Sequence, residues 1–321
     1  MSVAASSLAR LRRRIGLSKA ARREALLFYL CISPWLIGFV AWQLGPMLAS
    51  LYISFTRWDL LSPPHWVGLR NYVNVFTNDP LYIQSLKVTF TYALFEPPLA
   101  QIVALLAALL VNQKLRGINY FRTIFYMPAL VTGVGIAVLW LWIFNPDFGI
   151  LNVILSGIVG VLHLPIQPSQ LPEWVASPDW ALPAFVIMGL WGFGNTMVIY
   201  LAGLKGIPQQ LYEAAEIDGA TWWTKFWRVT IPMLSPSIFF NVVLGVIYVF
   251  QTFDTAYVMT KGGPDNATLF YVMYLYHKGF EEYKMGYASA QAWILFLIIM
   301  AVTLLVVKTS KDWVYYEGAR R

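Results

Sequence analysis

An all-α integral membrane fold with six crossing helices is what this 321-residue chain predicts, on three observations. The composition is 58% hydrophobic and only 12% charged, where a soluble domain carries about 25% charged residues, and the mean hydropathy is +0.59. Uncharged runs recur that are long enough to cross a hydrocarbon core about 30 Å thick, which takes ~20 residues of helix. Basic residues gather at both ends, so both ends favour the cytoplasm and the number of crossings is even. The 16% aromatic content suits helices anchored at the two water interfaces.

Residues 1–24 form a basic arm holding Arg10, Arg12, Arg13, Arg14, Lys19, Arg22 and Arg23. The apolar run after it exceeds the ~7–15 residues of a secretory signal, and no small-residue cleavage site follows, so 25–56 is the first span. The second, 88–113, is interrupted only by Glu96 and carries Ala100, Ala104 and Ala108 at four-residue spacing, a stripe that lets helices approach closely. The third is 123–146. Residues 148–171 are also apolar, but Gly149, Gly157, Gly160, Pro165 and Pro168 weaken a helix there. A seventh crossing would also place Lys308, Lys311, Arg320 and Arg321 outside, so 148–164 is expected to lie on the outer interface. Spans four, five and six are 180–204, 229–253 and 285–307. They complete a body of 25–308 followed by a cytoplasmic tail, 309–321. Lys114, Arg116, Arg122, Lys205, Lys225 and Arg228 then join the two ends on the cytoplasmic side, so the net charge of +7 needs no nucleic acid partner.

Several chemistries are disfavoured. Cys31 is the single cysteine, and His65, His163 and His277 lie far apart, so neither a disulfide framework nor a local metal-ligand spacing exists. The Gly-Lys dipeptide of a phosphate-cradling loop does not occur; if ATP is used, another subunit binds it. Gly133-Val134-Gly135 and Gly192-Phe193-Gly194 lie inside spans and read as helix packing, not as a dinucleotide fingerprint. No nucleophile elbow appears, and the adjacent Glu281 and Glu282 give no convergent acid–base geometry. The chain is not expected to be an enzyme.

The connection 204–232, between spans four and five, carries the most information. Gly206 breaks the preceding helix, Pro208 suits the first turn of a new one, and Gly219 supplies a left-handed residue to end it. Along that helix Leu211, Ala214, Ala215 and Asp218 form one band, thin enough at the alanines for another protein's backbone to approach. After Gly219, Trp222, Trp223, Phe226 and Trp227 recur at helical spacing with Lys225 and Arg228 between them, as in an amphipathic helix at the headgroup layer. An ordinary loop with two interfacial helices accounts for these patterns equally well.

The residues Glu213-Ala214-Ala215, Gly219 and Val229-Thr230-Ile231-Pro232 resemble the EAA loop of permease subunits in binding-protein-dependent ABC importers, whose usual ending is I-x-L-P. Leu201-Ala202-Gly203-Leu204, Asp254, Tyr257-Val258-Met259-Thr260, Gly262-Gly263-Pro264, Arg70-Asn71-Tyr72 and Tyr315-Tyr316-Glu317 resemble the carbohydrate-uptake branch, the maltose, glycerol-phosphate and oligosaccharide type. The last two features of the second half, the Gly-Gly-Pro and Tyr-Tyr-Glu segments, are similar to the first permease of a heteromeric pair. The resemblance implies a type I ABC importer permease fold of six spans with a cytoplasmic coupling helix between spans four and five. It implies a cell inner membrane location with cytoplasmic termini, a sugar, oligosaccharide or polyol-type solute, and three kinds of protein partner. These are a second permease, two copies of an ATP-binding subunit that hold ATP and Mg, and an extracytoplasmic solute-binding protein. Carried over by position, Glu213, Ala214, Ala215, Asp218 and Gly219 would couple to the ATPase.

Polar residues inside spans face a bundle interior or a water path. At 100° per residue Asn241, Gly245, Tyr248, Gln251, Thr252 and Thr255 of span five share one sector of about 120°. With Trp191, Asn195 and Thr196 of span four they offer hydroxyl partners and aromatic faces for a sugar. Interhelical hydrogen bonding explains the same stripe without a solute. Glu96, before Pro97-Pro98, reads as a protonated or paired structural carboxyl, and Asp254 as a cap or gate near the outer end of span five. An ion-coupled secondary transporter is the alternative function; it prefers repeated halves with buried carboxylates at matching positions, and Glu96 has no counterpart. A membrane-bound glycosyl-transfer enzyme would need an acid–base or metal site that the sequence does not display.

Overall fold

A computed structural model describes residues 19–315 apart from 114, 164, 166, 168 and 169. Arg10, Arg12, Arg13 and Arg14 of the arm, Lys114, and Tyr316, Glu317, Arg320 and Arg321 of the tail lie outside the described residues. The described residues are mostly helical, because in hydrocarbon the backbone N–H and C=O groups must be satisfied within each segment.

Span one covers Ala20–Ser54 as α1 (Lys19–Phe39), a π-helical turn (Val40–Leu44) and α2 (Gly45–Ser54). Pro46 accounts for the wide turn. It has no N–H for the carbonyl four residues back, and the Gly45 N–H bonds Val40 O instead. Two-residue strands β1 (Thr56–Arg57) and β2 (His65–Trp66) pair antiparallel beyond it, with Thr56 opposite Trp66. Helix α3 (Arg70–Thr77) then caps span one. The amide of Asn71 donates to the carbonyls of Ser54 (2.9 Å) and Thr56 (2.8 Å), and the Tyr72 hydroxyl meets Ser54 Oγ at 2.7 Å.

Span two is α4 (Pro80–Val111), which Pro97 and Pro98 do not interrupt. Span three departs from the expectation of one straight run over 123–146. The chain forms α5 (Ile118–Tyr126), a 3₁₀ turn (Met127–Leu130) and α6 (Gly133–Ile143), with a bend of 102° between the two parts. Pro128 lacks a donor, and Val131 and Thr132 are extended with ψ of 136° and 155°, so the helix cannot continue. Hydropathy registers composition and is blind to this break. Helix α7 (Ile150–Val161), at the position expected for an outer helix, is too short to cross. Its Asn152 donates to the carbonyls of Pro146 and Pro172, each at 3.1 Å, and accepts from Trp174 Nε1 at 2.8 Å.

Span four is α8 (Pro178–Trp191) and α9 (Gly194–Gly206), bent by 45°. A short helix, α10 (Gln209–Ile217), links it to span five. Span five covers Trp222–Val249 as α11 (Trp222–Lys225), a π turn (Phe226–Thr230) and α12 (Ile231–Val249). The aromatic segment is therefore not a separate interfacial helix, as its spacing suggested, but the first turns of span five. Pro232 is again the cause of the wide turn, because the Ile231 N–H bonds Phe226 O, five residues back. Beyond span five come α13 (Asp254–Met259), α14 (Tyr271–Tyr276) and span six, α15 (Met285–Trp313). By length and composition the described residues make six crossings when each bent pair counts as one.

Two apolar clusters hold the bundle. Toward the α10 end, Ala104, Ala108 and Val111 of α4 are fully buried against Met197, Tyr200, Leu201 and Leu204 of α9 and Leu234 of α12, so the alanine stripe does bring helices together. Toward the other end Tyr82, Phe144, Phe185, Phe270 and Tyr271 interlock. Asp79 ties that end across the sequence. Its carboxylate caps α4 by accepting from the Tyr82 N–H at 3.1 Å, and it accepts the hydroxyls of Tyr274 of α14 at 2.6 Å and Tyr287 of α15 at 2.5 Å. Asp79→Ala is expected to cost about 2–3 kcal/mol, since charge-assisted bonds and a cap are lost together. Tyr287→Phe should cost less, and thermal unfolding in detergent would rank the two.

Candidate functional site

Helix α10 has no buried residue. Pro208 stands just ahead of it, and its end is built as the sequence required. Gly219 has φ +73°, its N–H donates to Glu216 O at 3.0 Å, and the Ala220 N–H donates to Ala215 O at 2.9 Å, which together close the helix with a left-handed cap. Glu213, Ala214 and Asp218 are exposed and Ala215 is half-buried. Ile217, absent from the sequence-predicted band, is 86% exposed. Glu213 accepts from Gln209 Nε2 at 2.9 Å, one turn away.

Two side-chain links join α10 to the base of span five. The Tyr212 hydroxyl meets Thr230 Oγ1 at 3.0 Å, and Lys225 Nζ meets Glu216 Oε1 at 2.6 Å. Lys225 precedes the π turn and Thr230 is its last residue. Beside them Trp222, Trp223, Phe226 and Trp227 pack ring on ring, with Trp222 and Phe226 stacked 5.7 Å apart. The three tryptophans remain exposed, as suits the headgroup layer. The tail returns to the same end of the bundle, where the Tyr315 N–H donates to Ser235 Oγ at 2.8 Å.

A cavity of about 620 Å³ lies between α4, span four and α12. The stripe predicted from the sequence reaches it in part. Asn195 and Thr196 of α9, and Asn241, Gly245 and Tyr248 of α12, line it together with Thr252. The Tyr248 ring is 70% exposed at its rim. Three predicted pathway residues do not line it. Trp191 packs edge-on against Trp140, 6.1 Å between ring centres. Gln251 is exposed and donates to Ile247 O at 2.9 Å. Thr255 belongs to α13, because α12 stops at Val249 and the backbone turns at Phe253, φ −141° and ψ −63°. The 100° projection fails once the helix ends.

Span two supplies a wall that the sequence reading did not assign to the path, having read Glu96 as a structural carboxyl and Ala100 as helix packing. Tyr92, Glu96, Pro97, Ala100 and Gln101 line the cavity. Gln101 forms a crossbar, accepting the Tyr200 hydroxyl from α9 and donating to Asn241 O of α12 at 3.3 Å. A glutamine inside an apolar span was itself a signal. Asp254 lies instead beside Gly133, the first residue of α6, where a carboxylate is favoured by the helix N-terminus. Arg70-Asn71-Tyr72, part of the family-like pattern, serves the cap on span one.

Residues 100–316 match the family described as binding-protein-dependent transport system inner membrane component. The probable ABC transporter permease protein YesP of Bacillus subtilis (strain 168) is 43% identical over 94% of this chain and 96% of its own length. The trehalose/maltose transport system permease protein MalF of Thermococcus litoralis is 33% identical over 92% of this chain and 97% of its own. Among solved structures, a bacterial ABC transporter involved in the import of the acidic polysaccharide alginate contains a chain that superposes with a TM-score of 0.75. It is 24% identical and covers 91% of this chain and 97% of that one, a likeness of fold.

Proposed function

Because the chain belongs to the family of binding-protein-dependent transport system inner membrane components, this multi-pass protein is a permease subunit of an ABC transporter, and we propose that it imports a sugar, oligosaccharide or polyol-type solute. The solute is handed over by an extracytoplasmic binding protein and released into the cytoplasm. A second permease completes the path, and two copies of an ATP-binding subunit hold ATP and Mg and perform the hydrolysis. The assembly sits in the cytoplasmic membrane with both ends of this chain inside the cell. The trehalose/maltose permease among the relatives supports the solute class.

One observation carries the reading. The two crossing helices that α10 links, α9 of span four and α12 of span five, the latter reached through α11 and the π turn, are two of the walls of the cavity. A partner that seats on the exposed face of α10 and moves it therefore moves the cavity walls, which is the physical requirement for alternating access. The lining of Asn195, Thr196, Asn241, Tyr248 and Thr252 suits hydroxyl-bearing solutes, which hydrogen-bond to amides and stack on aromatic rings. Family membership favours ATP-driven import over ion-coupled transport.

Purification of the tagged chain from its native membrane in mild detergent, followed by mass identification of partners, tests the proposal. Recovery of an ATPase, a second permease and a solute-binding protein, with uptake that needs ATP after reconstitution, is the expected result. Recovery of a self-assembly without ATPase that takes up solute on an ion gradient would overturn it.

A further inference from the structure

Glu96 stands midway along α4, inside the crossing segment, and lines the cavity. The sequence alone suggested a paired or protonated structural carboxyl. Among the described residues it has no hydrogen-bond or ion-pair partner, and the cavity lining contains no Lys, Arg or His. An ionisable group at this depth is costly unless it faces water or a ligand. Here the surroundings make room for it. A Cβ placed on Gly189 would stand 2.7 Å from Glu96 Cγ and 2.8 Å from Oε1, so α8 carries a glycine where the carboxyl of α4 projects. The neighbouring amide of Gln101 is already engaged at both ends, by Tyr200 and by Asn241. That leaves Glu96 as the free carboxyl among the described residues of this wall.

We propose that Glu96 is a specificity-determining residue of the cavity, a carboxylate that accepts hydrogen bonds from the hydroxyl pairs of an uncharged sugar or polyol and disfavours anionic solutes. The assignment rests on the cavity being the solute path. The chemistry is that of a two-oxygen acceptor with about four lone-pair sites, whose O–H···O⁻ bonds are roughly twice as strong as neutral ones. A phosphorylated or uronic solute brings charge of the same sign into a low-dielectric cleft with no cation on this chain's wall to offset it.

Charge-selective labelling tests this without knowledge of the solute. In the full assembly with Cys31→Ser, the reporter Asn195→Cys is exposed to a cationic and an anionic methanethiosulfonate reagent of similar size. With Glu96 present the cationic reagent should react faster, and Glu96→Gln should lower the cation-to-anion rate ratio roughly fourfold or more. Glu96→Asp, which keeps the charge, should preserve it. A ratio unmoved by Glu96→Gln overturns the assignment while leaving the path reading intact; a reporter that neither reagent reaches removes the path reading and this assignment with it. The solute found by uptake assay gives the second readout: an uncharged one is expected, and an anionic one overturns the proposal.

Discussion

Gly219→Pro is expected to leave the permease assembled in the membrane and to lower ATP-driven uptake about tenfold or more while ATP hydrolysis continues. The position demands φ +73° and a free N–H for Glu216 O. Proline offers neither, since its ring holds φ near −65° and removes the donor. Both bonds of the cap fail together, and the chain leaves α10 in a new direction. Alanine keeps the N–H and meets only the left-handed strain of about 1–2 kcal/mol. Gly219→Ala should therefore reduce coupling far less than proline does. The discriminating measurement is solute moved per ATP hydrolysed in reconstituted membranes. Normal uptake from normal amounts of the proline variant would count against any coupling role for α10.

The cap matters because it sets how α10 is suspended. One end continues from α9 through Ile207 and Pro208, and the other returns through Gly219 to α11. The Tyr212–Thr230 and Glu216–Lys225 contacts then bind it sideways to the π turn at the foot of span five. The ion pair alone contributes little, because Glu216 is largely exposed and such pairs are worth about 0–1 kcal/mol. Its value is geometric, since with the Tyr212–Thr230 contact it holds α10 against the two ends of the widened turn at the foot of span five. π turns inside longer helices occur frequently at functional positions.

These local features were legible because each rests on neighbouring residues. Gly219, Pro208 and the alanine pair dictate a short capped helix wherever the rest of the chain goes. Polar residues in α9 and α12 were found for a similar reason, because helical periodicity fixes their relative directions as far as the helix extends. Gln251 and Thr255 were misplaced where it no longer did, at Val249. Trp191 has the right chemistry for a sugar platform, yet its direction is decided by Trp140, a partner far away in the chain. The break in span three turns on Pro128 and two extended residues within an otherwise uniform apolar run, where hydropathy carries no information. Glu96 and Gln101 needed the third dimension, since only the packing of α4 against spans four and five shows that both face one cavity.

Filling that cavity gives the second large effect. Gly189→Leu is expected to reduce uptake about tenfold or more with little loss of assembly, because the new side chain would project from α8 at the place Glu96 and Tyr92 now share. The first carbon alone would come within 2.7 Å of Glu96 Cγ and 3.1 Å of the Tyr92 hydroxyl. Tyr92 is buried and cannot withdraw, so the carboxyl must swing away. Its displacement costs about 1–3 kcal/mol as overpacking. In the proposed path an isobutyl group would take up solute volume and remove the acceptor from its position at once. Gly189→Ala probes the first carbon by itself and should give an intermediate loss. Uptake and ATP hydrolysis measured in the same vesicles separate blockage from uncoupling, since a blocked path suppresses solute entry for every substrate tested, whereas the uncoupled Gly219→Pro form spends ATP without transport. Uptake by the leucine variant equal to that of the parent would mean that solute passes elsewhere, and the cavity between α4, span four and α12 would lose its role as the path.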